Sequence, residues 1–167
     1  MNDVDVELLD GECLMTDADE LIFRQITDRM IDGDKINTEA FGPQTIDNGM
    51  PSFSRSSIVS AQEARDWHTL NARRPSVAVY AVTVGEVIDG GRHTVDDAGA
   101  PAEPGSVRAP GHCFVDYRGL NRQRRKELRA HLYMCAMRRR EIPTRATTPV
   151  SQLTFGNRDN TTDNTRR

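Results

Sequence analysis

The chain has 167 residues, 37% apolar and 28% charged, with aromatics at 5% and a formal net charge of −3. That length fits one domain able to bury a core without disulfides or metals, and the composition excludes collagen, a wholly disordered chain and a disulfide scaffold. No apolar run approaches the roughly 20 residues needed to cross a bilayer, and the acidic start, Met1 to Asp10, lacks the basic-then-apolar pattern of a secretory leader, so a cytoplasmic protein without membrane contact is expected.

The first part, residues 1–19, is an acidic N-terminal arm with little apolar periodicity. Leu21 to Ile26 is short, apolar and closed by the turn Asp32-Gly33-Asp34, which predicts a strand. Thr38 to Phe41 is a short element stopped by Gly42-Pro43. Asp47-Asn48-Gly49 marks a turn, and Ser52 to Ser57 continues as extended chain. Ser60-Ala61-Gln62-Glu63 has the capping-box pattern. Ala61, Ala64, Trp67 and Leu70 behind it form the apolar stripe of a helix that ends before Pro75. Val77 to Val87 is the most β-prone stretch; apolar residues on both faces predict a central strand.

Residues 89–111 hold Gly90, Gly91, Gly99, Pro101, Pro104, Gly105, Pro110 and Gly111. They predict a long exposed loop, interrupted by a short strand near Val95. His112 to Tyr117 reads as another strand. Asn121 caps a helix running to about Arg140, with Leu128, Leu132 and Cys135 on its apolar face. Residues 143–167 are rich in Thr, Asn and Arg and predict a disordered polar tail. The fold class expected is α+β: a small mixed or antiparallel sheet, one inserted helix and one C-terminal helix, within residues 20–142.

Charge is segregated along this plan. Residues 1–50 carry 13 acids and 3 bases, residues 51–117 carry 8 and 6, and residues 118–167 carry 4 and 13. Such a distribution attracts oppositely charged surfaces, within the chain or on a partner. Only Lys35 and Lys126 of the 22 bases are lysines, a skew that accords with GC-rich bacterial coding as well as with sites needing a guanidinium fork. Cys13, Cys113 and Cys135 form no CxxC, so reduced thiols are expected, with Cys113 and Cys135 as small buried hydrophobes. His68, His93, His112 and His131 lack metal-ligand spacing, so no metal site is expected.

The standard phosphate loops and the G-x-S-x-G elbow are absent. The paired acids Asp96-Asp97 lie in the long loop and read as solvated turn residues. Arg24 in the first strand, Ser54, Ser56 and Ser57 on the next extended piece, and Glu86 at the end of the valine-rich run occur in the order Arg, Ser, Glu. That order resembles the ADP-ribosyltransferase-type folds. The resemblance implies that Arg24 binds NAD phosphates, Ser56 supports the strand geometry and Glu86 stabilises an oxocarbenium-like ribose; for an enzyme, His112 and Asp47 are the expected neighbours of these residues. Guanidinium forks grip diphosphates and carboxylates stabilise developing positive charge. The structural alternative pairs Arg24 with an acid, uses the serines as turn caps and leaves Glu86 in water at a strand end.

Phe23-Arg24-Gln25, then Ala40-Phe41-Gly42-Pro43, Asp47 and Ser54-Arg55-Ser56-Ser57, followed by a valine-rich strand, also resemble short bacterial proteins of no established activity. The resemblance spans about residues 20–118 and implies a folded core without implying a function. Arg122, Arg124, Arg125, Lys126 and Arg129 form a basic helix face that could meet nucleic acid or an acidic partner; the scarcity of aromatics for stacking ranks nucleic acid behind a protein. The leading expectation is therefore a protein-interaction or accessory module with no cofactor. An ADP-ribosyltransferase-like enzyme using NAD is the alternative, and nucleic-acid binding through residues 122–140 the further one.

Overall fold

Strand pairing is best defined around Leu21–Ile26, whose side chains alternate between two covered faces. In the computed structural model, which describes residues 7–148, this segment is β2. It follows β1 (Cys13–Leu14) and precedes the small hairpin of β3 (Ile31–Asp32) and β4 (Lys35–Ile36), then β5 (Ser52–Arg55). Helix α1 (Ala61–Asn71), β6 (Ala78–Thr83), helix α2 (Val84–Asp89), β7 (Thr94–Asp96), β8 (His112–Val115) and helix α3 (Arg122–Arg139) complete the chain order. Six strands form one antiparallel sheet in the order β1-β7-β8-β5-β2-β6. The fold is α+β, and no described helix is long and apolar enough to cross a membrane.

Side chains alternate across each strand, which assigns two faces. One carries Ile22, Ile26, Phe53, Val82, Cys113 and Val115 and packs under α3, whose Leu128, Leu132, Cys135 and Ala136 are buried against it. The other carries Phe23, Val79 and Ala81, covered by Ala61 and Ala64 of α1. Asn121 caps α3 by accepting from the Arg124 amide at 2.9 Å. Arg122, Arg124 and Arg125 stand at the wrong end of the helix dipole; Glu127 faces Arg124 at 3.2 Å and offsets part of that repulsion.

Several sequence expectations need correction. The expected strand Val77–Val87 ends at Thr83 and becomes α2, because Thr83 and Glu86 form a reciprocal capping box. That strand is also an edge, not a centre. Its outer rim is covered by the segment leaving α3: the Ile142 amide donates to the Val79 carbonyl at 2.8 Å, and Arg139 donates to the Ala81 carbonyl at 3.0 Å. In α1, Ala61 and Ala64 of the expected stripe are buried, but Arg65 and Thr69 complete the buried face in place of Trp67 and Leu70, and Leu70 is 52% exposed. Arg65 turns inward because it donates to the Ser76 and Val77 carbonyls.

Both ends of the domain are more engaged than the sequence predicts. The N-terminal arm contributes β1 and the buried Met15. Gly11 makes this crossing: a Cβ there would stand 2.1 Å from the Gly99 carbonyl oxygen, and its φ is +80°. Residues 1–6 of the arm lie outside the described residues. Of the expected tail, 143–148 run along α1, where Arg65 donates to Thr144 Oγ1, Gln62 accepts from the Arg145 amide and Thr147 donates to Asp66. The remainder, 149–167, lies outside the described residues.

Candidate functional site

On the α1 side of the sheet, α1 shields β2 and β6 but not the outer half. There β5, β8 and the end of β7 present polar side chains in register. Ser54 of β5 lies opposite His112 of β8, and Ser52 lies opposite Phe114. Extending the pairing of Asp96 with Cys113 by one residue brings Asp97 opposite His112. Diagonal neighbours across antiparallel strands are about 7–8 Å apart at Cα, within reach of an imidazole.

The three side chains meet accordingly. His112 Nδ1 lies 2.8 Å from Asp97 Oδ1, and Nε2 lies 3.0 Å from Ser52 Oγ. Asp97 also faces Arg108 at 3.4 Å. Burial by itself raises the Asp97 pKa, but the His112 contact and Arg108 together hold the carboxyl below its ordinary range. An ionised carboxylate only accepts, so Nδ1 carries the proton. In the neutral ring Nε2 then has a free lone pair and accepts from Ser52 O–H. Exposure falls along the row: Ser52 is exposed, while His112 and Asp97 side chains are 20% and 16% exposed.

Next to this row, Ser54 lines a groove of about 420 Å³ between α1 and the Ala109-Pro110 wall. Val59, Ala64 and Trp67 supply apolar surface, and Glu63 and Asp66 add carboxylates. Thr147 and Gln62 donate to Asp66 and hold its carboxyl low. Ile58, beside the groove residue Val59, is also exposed.

Arg24 sits on the opposite face, buried. Its Nε donates to the Ala40 carbonyl and its Nη1 to the Ser52 carbonyl, both at 2.7 Å, while its guanidinium carbon is 5.4 Å from the Phe53 ring centroid. Burial pulls its pKa below the ordinary value, with Asp47 and Tyr117 opposing. Asp47 accepts from the Gln44 amide as a turn cap. Ser56 stands in the turn after β5, its amide donating to the Leu21 carbonyl at 2.9 Å. Glu86 takes both Arg139 nitrogens at 3.0 Å. Burial alone would raise it, but Arg139 and the Thr83 amide hold it low. The groove is lined by none of Arg24, Ser56 and Glu86. Of the expected site residues, only the neighbour His112 joins the polar row.

A second ionic cluster ties this region down. Arg55 donates through Nε and Nη2 to both Glu20 oxygens at 3.1 and 2.9 Å and through Nη1 to Asp96 at 2.6 Å. Ser57 donates to Glu20 from its amide and its hydroxyl. The basic helix is partly paired: Arg129 meets Glu39 at 2.6 Å, Arg125 donates to the Leu120 carbonyl, and Arg122 and Lys126 are exposed. Cys113 and Cys135 are free and buried, and Cys13 is free and exposed. No group of His, Cys, Asp and Glu suited to a metal occurs among the described residues.

Sequence reasoning missed Ser52 and Asp97. Ser52 begins the extended piece that the sequence predicts but carries no local mark of a role, and Asp97 reads on sequence as a solvated loop acid. The signal that joins them is the neighbour order of β5, β8 and β7. No protein-family model, curated protein or solved structure matches the chain.

Proposed function

We propose that the protein is an interaction module that captures a short segment of a partner protein in the groove between α1 and Ala109-Pro110. The observation that carries this reading is the groove's composition: five apolar wall residues and Ser54 around two carboxylates on one helix, open to solvent. A segment bearing an Arg or Lys beside a small apolar side chain fits it. The apolar group displaces water from Val59, Ala64 and Pro110. The cation faces Glu63 and Asp66 and stacks on Trp67, a contact worth about 0.5–2 kcal/mol. Half-exposed Leu70, one turn beyond Trp67 on α1, extends the apolar rim. The compartment we infer is the cytoplasm, where free Cys113 and Cys135 stay reduced.

Trp67 is the chain's one tryptophan, so its emission reports directly on the groove. Synthetic peptides of paired design, identical except for Arg or Glu at one position beside a Val-Ala core, are titrated against the full chain. The reading expects a saturable emission change with the Arg peptide and a far weaker one with the Glu peptide. Equal responses, or none with either, would overturn it.

A further inference from the structure

Ser52, His112 and Asp97 do more than hold a loop against a sheet. A hydroxyl, an imidazole and a carboxylate stand in hydrogen-bonding sequence, 3.0 and 2.8 Å apart, with the hydroxyl in solvent and the carboxylate tucked inward. That is the arrangement in which a serine becomes a nucleophile, recognised by geometry rather than by chain order or fold. We propose that this row is an acyl-transfer site at which Ser52 takes the acyl group of an activated carboxylic ester.

Each part of the row has a task its surroundings support. Asp97 stays ionised beside Arg108 and fixes the His112 tautomer through Nδ1–H, which leaves Nε2 as the base. Ser52 is held from behind, since the buried Arg24 donates to its carbonyl at 2.7 Å; Arg24 is a positioning residue here. Phe114, directly opposite Ser52 in the register, is buried and carries the Arg118 guanidinium 5.1 Å from its ring centroid. Phe114 is thus the apolar cross-strand neighbour of Ser52, while the Arg118 charge is taken up by Asp116 and Glu12.

The chemistry balances with water as the only co-reactant. Ser52 Oγ attacks the ester carbonyl carbon while its proton passes to His112 Nε2. The tetrahedral adduct collapses, the C–O bond to the leaving group breaks, and the Nε2 proton goes to the departing alkoxide. The product is an ester on Ser52 Oγ. Water then attacks that ester, gives one proton to Nε2, and the acid leaves as Ser52 recovers its proton. An activated ester fits better than an amide, because its leaving group departs with little help. The site is independent of the groove reading: Trp67 and Asp66 take no part in the step.

The test uses p-nitrophenyl acetate as the probe with the full chain. A Cys13→Ser background removes the exposed thiol, itself a nucleophile. Expected are a burst of p-nitrophenolate of about one per chain and an acetyl group on the peptide containing Ser52, located by fragmentation in the mass spectrometer. Ser52→Ala removes both, and His112→Gln and Asp97→Asn each slow acylation by about 100-fold or more. Ser106→Ala, an exposed loop variant, leaves the burst intact. A second readout needs no variant of the row: diisopropyl fluorophosphate labels Ser52 in the parent chain. Acetylation spread over other nucleophiles, an unchanged rate in His112→Gln, or no label on Ser52 would overturn the proposal, and none of these results bears on peptide capture at Trp67.

Discussion

Arg55→Met is the perturbation whose cost the structure sets most narrowly. Methionine keeps most of the aliphatic stem and removes the three charge-assisted bonds to Glu20 and Asp96. The Glu20 side chain is 4% exposed and Arg55 is 23% exposed, so the change leaves a carboxylate away from water without its cation. Breaking such a pair from one side costs about 3–5 kcal/mol. Ser57 still donates twice to Glu20, and Arg55 already reaches some solvent, which places the loss near the lower figure, about 3 kcal/mol. Against a total stability of about 5–15 kcal/mol this is a large fraction. Urea unfolding followed by circular dichroism measures it. Glu20→Gln in the same chain removes the stranded charge and recovers at least about 1 kcal/mol. A loss below about 1 kcal/mol, the level of an exposed surface pair, or no recovery in the double variant, would refute the argument that this cluster anchors β2, β5 and β7.

Other outcomes follow from the same contacts. Burial raises the Glu20 pKa, but Arg55 and Ser57 outweigh it and hold the folded value below the ordinary 4.5. The stabilisation is therefore complete above pH 4.5 and is lost as pH falls through the lower folded value; urea midpoints across that range drop steeply in the parent and less in Glu20→Gln. Gly11→Ala combines a positive φ with a Cβ pushed against the Gly99 carbonyl, so β1 detaches, and amide exchange at Met15 and Val95 accelerates with little change at Ile22. Native thiol titration labels Cys13 alone, since burial pushes the Cys113 thiol far up and Cys135 is on the buried face of α3; urea releases all three.

Much of the architecture is visible in local chemistry. Leu21–Ile26, the Ser60 cap of α1 and the Asn121 cap of α3 emerge where the residues predict them, because capping and apolar periodicity act over a few neighbours. Thr83-Val84-Gly85-Glu86 carries the same capping pattern as Ser60 to Glu63, yet the valine run outweighs it on paper. In the folded chain the cap wins, because Arg139 braces Glu86 from a distant helix. The edge position of β6 is invisible locally, since what covers its rim, Arg139 at the end of α3 and Ile142 just after it, is about sixty residues further along the chain. Arg24 stood out as a lone charge in an apolar strand; that it grips the Ser52 and Ala40 carbonyls depends on β5 passing beside β2. The row of Ser52, His112 and Asp97 likewise exists only after three strands separated by long connections take their places. Single residues of a site can be suspected from sequence, whereas their convergence is a property of strand order.

If the groove beside Trp67 recognises a basic, partly apolar segment, a charge exchange across it reverses the preference. Asp66→Lys is titrated with the Arg and Glu peptides while Trp67 emission is followed, with circular dichroism confirming an intact fold. The Arg peptide is expected to bind at least about tenfold more weakly, equivalent to roughly 1.4 kcal/mol, and the Glu peptide to gain affinity. Affinities for both peptides that stay as they are in the parent chain would contradict it.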